Sequence, residues 1–288
     1  MKEECVPENP AHDEVNRTIA IAAFGGWNDA GTGSSEALTH LMNTIGVDEE
    51  RPPHTIDANH YVDLQINRPL LARDSEGQRR VTWPHTHIIP LKPHRGTRIL
   101  IITGPEPSFN WTGYCEDILT HVTSAQCTLL VTLGALLADT PHTRPLPTST
   151  TWGSQTPRVA DADDYEGPIG IPAILNDAAH TAGVGTLSLW VQVPNYVGQN
   201  PAPKATLALL TALDRELDLH IPLGELPEDA RAWERGMDAM ANEEEDIKQY
   251  VEQLEQMRDA TELPEASGDV IASEFEQFLR RREDGDTH

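Results

Sequence analysis

Seven consecutive residues, Asp139-Thr140-Pro141-His142-Thr143-Arg144-Pro145, place an acid, an imidazole and a guanidinium in one short segment. There His142 can give or take a proton, Arg144 can clamp an anion through its planar fork, and a carboxylate can orient the pair. Gly25-Gly26-Trp27-Asn28-Asp29-Ala30-Gly31-Thr32-Gly33 combines polar side chains with glycines that let a ligand approach the backbone at a helix start. Pro105-Glu106-Pro107-Ser108 runs on to Asn110 and Trp111, and Tyr165-Glu166-Gly167-Pro168-Ile169-Gly170 adds a further acid. The candidate ligand pocket is therefore Trp27, Asn28, Asp29, Glu106, Ser108, Trp111, His142, Arg144, Tyr165 and Glu166. Plainer readings stand beside it. Residues 139–145 can be a charged turn, and residues 25–33 a tight glycine turn in which Asn28 and Asp29 bond the local backbone.

The sequence carries no signature of a common chemistry, and no catalytic residue is assigned. No lysine follows the glycines as in a Walker A loop, and G-x-G-x-x-G, H-E-x-x-H and G-x-S-x-G are absent. His121 lies six residues after Cys115, on another helical face, so Cys115 reads as a buried structural cysteine and not as a nucleophile. His85 and His87 share one strand face, but two imidazoles make a poor metal site without a third ligand. No metal and no cofactor is expected.

These loops need strands and helices to hold them. Thr18–Phe24, Arg98–Gly104, the apolar run from Thr128 and Gly185–Val193 read as strands buried on both faces, the pattern of a parallel sheet. Helices are expected from Ser34 or Ser35 to Ile45, over Phe109–Ser124 with Ser108 as N-cap, over Ile171–Ala182, and from Pro203 to Leu219. His54–Leu64 and Arg79–Pro90 read as further strands, and Thr148–Asp164 as a long polar connection. The result is an α/β three-layer αβα sandwich, with the polar loops beyond the strands' carboxyl ends, where ligands of such sheets bind.

Residues 1–17 read as a disordered lead-in, 18–224 as the α/β domain and 225–288 as an acidic helical appendage. In the appendage Trp233, Met237 and Met240, then Ile247, Val251 and Leu254, form a narrow apolar seam on a helix of about 30 residues. A second helix is expected over Asp269–Arg282. The segment from Pro227 to His288 has 19 acidic and 7 basic residues. The seam can close on its own domain as a hairpin or serve as an oligomer or partner surface.

A net charge of −25 disfavours nucleic acid and anionic membranes alike, since no cationic stripe is there to displace counterions. Three cysteines without a C-x-x-C pair suit a reducing cytoplasm. No apolar run is long enough to span a bilayer, and the polar start has no signal-peptide h-region.

Several blocks together resemble the PAC2 family, named for a proteasome assembly chaperone, and most closely its actinobacterial-type members. They are Phe24–Gly31 (FGGWNDAG), Gly104–Trp111 (GPEPSFNW), Thr132–Pro145 (TLGALLADTPHTRP), Tyr165–Gly170 (YEGPIG), Pro203–Thr206 (PKAT) and Leu263–Asp269 (LPEASGD). The resemblance covers roughly residues 18–282. It implies a fold similar to nucleoside phosphorylases, homo-oligomers with a trimer as the leading count, and no established catalysis for this branch. Proteasome-binding members of the family dock a C-terminal hydrophobic-Tyr-X tripeptide. This sequence ends Asp286-Thr287-His288, so docking by that route is not expected.

Two functions follow as expectations. One is a non-enzymatic, self-associating binding or assembly protein, chaperone-like, with a possible protein partner. The alternative is a small-molecule binder or an enzyme, hydrolase-, transferase- or ligase-like, using a pocket at the carboxyl ends of the strands.

Overall fold

In the computed structural model the described residues are 15–74, 77–153, 167–197 and 200–262. Residues 1–14, the candidates Tyr165 and Glu166, and the expected helix over 269–282 lie outside them.

The elements run β1 (Arg17–Gly25), α1 (Gly33–Ile45), β2 (His54–Asp57), β3 (Leu70–Arg73), β4 (Arg79–Thr82), β5 (His85–Pro90), β6 (Thr97–Pro105) and α2 (Trp111–Ser124). They continue with β7 (Leu129–Ala138), β8 (Thr148–Trp152), α3 (Ile171–Thr181), β9 (Gly185–Pro194), α4 (Pro203–Leu217), α5 (Leu226–Glu243) and α6 (Glu245–Glu262). Seven strands form one sheet in the order β2-β5-β6-β1-β7-β9-β8, and β3 and β4 pair with each other. The central strands β6, β1, β7 and β9 are parallel, while β2, β5 and β8 join antiparallel toward the edges.

Alternation along β1 explains the layers. Ile19, Ile21 and Ala23 belong to one core with α1 and α4, and Ala20, Ala22 and Phe24 to the other with α2 and α3. Successive side chains leave a strand on opposite faces, so a strand covered on both sides must be apolar throughout, and this one is. The architecture is the expected three-layer α/β sandwich.

Gly104 shows how tightly β5 and β6 pack. A Cβ there would lie 2.8 Å from Thr86 Cα and 2.8 Å from the His85 carbonyl oxygen. Both atoms are backbone and cannot turn aside, so Gly104→Ala is expected to lower the unfolding free energy by about 1–3 kcal/mol. Chemical denaturation measures this, and an unchanged midpoint would mean that the two strands can separate without cost.

Several elements differ from the sequence reading. The strand expected over Arg79–Pro90 is two, parted at Trp83-Pro84, because proline lacks the ladder's donor. The strand expected over His54–Leu64 stops at Asp57, and the polar stretch after Pro147 contributes edge strand β8. In the tail, the helix of about 30 residues is two of 18 residues each, parted at Glu244 (φ −123°, ψ 112°). Four acids stand in a row from Glu243 to Asp246. The break places Glu245 and Asp246 in the first turn of α6, where the helix dipole favours negative charge. Of the two readings of the apolar seam, a hairpin on its own domain and an oligomer or partner surface, part of the seam follows the first. Trp233 and Met237 pack against the α1–α4 core, while Val251 and Leu254 are buried.

Candidate functional site

The loops after β1, β6 and β7 and the start of α3 meet at the sheet's carboxyl rim, and Glu106 fastens three of them. Its Oε1 accepts from Asn28 Nδ2 at 2.8 Å and from the Ile171 amide at 3.1 Å. Its own amide donates to the Gly25 carbonyl at 2.9 Å. Asn28 is buried, and its carbonyl accepts from the Ala135 amide at 2.8 Å, which ties in β7. Gly170 leaves room for the Asn28 amide, since a Cβ there would lie 2.2 Å from Oδ1.

Asp29 does the same work on the opposite face. Its Oδ1 accepts from the Ser34 amide (2.9 Å), Ser34 Oγ (2.6 Å) and the Ser35 amide (3.0 Å), and its Oδ2 from Ser35 Oγ (2.6 Å). A helix N-terminus attracts an anion through its unpaired amides and dipole. At α1 that anion is the carboxylate of Asp29, and at α3 it is that of Glu106. Both ready-made anion sites are thus filled from within the chain.

Ser108 does not cap α2, whose N-cap is Asn110 in the left-handed region (φ 52°). Ser108 instead holds the loop after β2, its amide donating to the Tyr61 carbonyl at 2.7 Å and its Oγ accepting from the Asp63 amide at 2.9 Å. Trp111 packs half-buried on the α2–α3 core. Trp27, Phe109 and Ile169, carried by the loops that Glu106 joins, stand 66%, 47% and 41% exposed.

His142 and Arg144 lie on the α1–α4 side and face the tail. Tyr196 Oη accepts from the His142 amide at 2.7 Å and bonds Nδ1 at 2.7 Å, so Nε2–H donates to Asp238 Oδ1 on α5 at 3.1 Å. Trp233 sits edge-to-face with the imidazole, with ring centroids 6.4 Å apart. Lys204 joins the His142 carbonyl (2.5 Å) to Glu234 on α5. Arg144 grips Asp259 on α6 with two bonds of 2.8 Å, and Thr143 donates to Glu255. Asn195 and Tyr250 both bond Asp139, at 2.8 and 2.9 Å.

The candidates thus share one rim but not one cluster. Asn28 and Glu106 meet toward α3, whereas His142 and Arg144 form a clasp for α5 and α6. In that clasp both imidazole nitrogens and all three nitrogens of the guanidinium are engaged inside the chain. The partners Lys204, Tyr196, Glu234, Asp238, Glu255 and Asp259 were not among the sequence candidates. A signal did exist. Glu234/Asp238 and Glu255/Asp259 are like-charged pairs four apart, unfavourable on an isolated helix and therefore suited to cations brought from elsewhere.

Titration should loosen the clasp. Burial holds His142 below the ordinary histidine value; Asp238 and Glu234 oppose that shift and Lys204 adds to it. A lowered pKa in the docked state means docking is strongest above about pH 6.5 and weakens as pH falls through that value toward the lowered one. The hydrogen bond from Arg144 holds Asp259 below the ordinary carboxylate range, so a further loss follows below about pH 4. Hydrogen exchange in α5 and α6 is expected to speed up between pH 7.5 and 5.5 relative to α1 and α4, after correction for the intrinsic rate. His142→Gln should flatten that difference; equal acceleration in all four helices would contradict it.

Burial pushes the Cys115 thiol up to about 12 and Cys127 to about 11, which keeps both as thiols at neutral pH. Among the described residues no group of three or more histidine, cysteine or carboxylate side chains gathers to hold a metal. No helix among them is long and apolar enough to cross a membrane.

A mixed sheet between two helical layers, with its rim loops fastened by internal carboxylates, defines a three-layer α/β protein whose rim offers apolar side chains. The PAC2 family profile matches residues 23–241, and the chain belongs to that family. A PAC2 family protein of Streptomyces avermitilis is 42% identical, with a TM-score of 0.70, covering 81% of this chain and 99% of that one. A proteasome-assembly chaperone homologue of Mycobacterium tuberculosis is 36% identical, with a TM-score of 0.70 and the same coverage of 81% and 99%. An archaeal proteasome activator of Pyrococcus furiosus shares the fold at 17% identity and a TM-score of 0.59, over 81% of this chain and 96% of that one. Among curated proteins no sequence matches.

Proposed function

We propose that this protein is a non-catalytic, chaperone-like assembly factor of the cytoplasm that binds another protein through the rim around Glu106. One observation carries the reading. The carboxylates of Glu106 and Asp29 are spent on the chain's own helix starts, while Trp27, Phe109 and Ile169 face solvent on the loops they fasten. Charged groups that hold a backbone are poorly placed to turn over a substrate, and exposed aromatic side chains suit protein docking. The M. tuberculosis relative, described as a proteasome-assembly chaperone homologue, makes proteasome subunits the first partner to test. The protein also self-associates in this reading, with a trimer as the expected count.

Trp27→Ser/Phe109→Ser tests the docking. Both side chains are about half exposed or more, so the unfolding midpoint should stay close to wild type. Binding to purified proteasome subunits is expected to weaken at least tenfold. Unaltered binding would remove the rim as the docking surface, and a thermal shift with a nucleotide or amino acid would favour a small ligand instead.

A further inference from the structure

β3 and β4 form a hairpin whose eight strand residues are all exposed, and an isolated two-stranded hairpin is marginally stable in water. Leu71 pairs with Val81 and Arg73 with Arg79. Side chains two apart share a face, so Leu71, Val81, Arg73 and Arg79 project on the same side, and Trp83 follows directly after β4. Leu71, Val81 and Trp83 stand 65%, 54% and 45% exposed. Two arginines directly opposite each other repel unless an anion lies across them. Arg80 is matched by Asp74 at 2.6 Å, but Arg79 makes no ion pair among the described residues.

The partner that fits this face is apolar and acidic, in a chain whose net charge is −25. Helices α5 and α6 hold eleven acidic and four basic residues. On α6, Glu245 and Glu252 are exposed and seven apart, hence on one face, and Met257 is exposed at a position further round the helix. The hairpin leaves the sheet between β2 and β5, at one end of the strand order, while α6 is fastened beyond β7 and β9, near the other. The geometry points to a head-to-tail contact in which the hairpin of one copy seats on the acidic tail of the next. A contact of this kind joins two different surfaces, so it closes into a ring or grows as a chain. The inference rests on the self-association proposed above and names the surfaces that make it.

Light-scattering mass tests it on the full chain. Wild type is expected to be an oligomer that dissociates toward monomer in 1 M salt. Arg73→Glu/Arg79→Glu and, separately, Glu245→Lys/Glu252→Lys should each weaken association at least tenfold. All four changes in one chain should restore the wild-type mass. Leu71→Ser/Trp83→Ser, with its unfolding midpoint checked, should also dissociate, which separates a lost contact from a lost fold. A wild-type monomer at every concentration would remove self-association and this contact together. A hairpin variant that keeps the oligomer mass would remove this contact alone, and one that keeps its mass but loses retention on heparin would assign the hairpin to another polyanion.

Discussion

Ending the chain after Gly224 is expected to lower the stability of the remaining α/β domain by at least about 3 kcal/mol. Val251 and Leu254 are buried, and Trp233 and Met237 pack on the α1–α4 core, so the tail closes that core rather than decorating it. Each fully buried apolar side chain contributes roughly 1.5–3 kcal/mol, offset in part by the ordering of two helices. Polar consequences add to this. Truncation leaves His142 without Asp238 and Trp233, and Lys204 without Glu234. Against the ~5–15 kcal/mol typical of a domain, such a loss is large. Denaturant unfolding should show a lower midpoint, with exposed apolar surface that binds a hydrophobic dye. An unchanged midpoint would mean that the tail is an independent appendage.

Glu106→Ala is expected to cost about 3 kcal/mol, while Glu106→Gln should recover most of it. The alanine leaves the buried Asn28 amide and the first amide of α3 without their acceptor, at roughly 1–3 kcal/mol for each buried group left unpaired. Glutamine keeps a carbonyl oxygen at the same reach. Gly170→Ala should act through the same junction, because its Cβ would push the Asn28 side chain away from Glu106. The two lesions are therefore expected to be far from additive, with Gly170→Ala costing little more once Glu106 is gone. Full additivity in the double-mutant cycle would show that the two residues stabilise the rim separately.

How much of this was legible beforehand depends on the range of the interaction. The aliphatic runs that became β1, β6, β7 and β9 read clearly, since a strand covered on both faces has no polar position to confuse the pattern. The rim placement of Asn28, Glu106 and His142 followed from the strand ends. What could not be read was the division of that rim. Asn28 and Asp29 are neighbours in sequence, yet one bonds Glu106 near α3 and the other caps α1. That choice is set by Gly170 and by Ser34 and Ser35. In the same way, the acid-imidazole-guanidinium run looks like a site because its partners lie 96 to 115 residues away on α5 and α6. A polar cluster in a sequence does not reveal whether its bonds close inside the chain or await a ligand.

The docking role of the rim has one direct test. A photoreactive phenylalanine analogue is placed at Trp27, and a control at the exposed Lys92, which precedes β6 on the opposite rim. After irradiation in the source cells, position 27 should yield an adduct with one defined polypeptide other than this chain, identified by mass spectrometry and not obtained from position 92. No such adduct at 27, or the same adduct from both positions, would contradict a protein-docking rim.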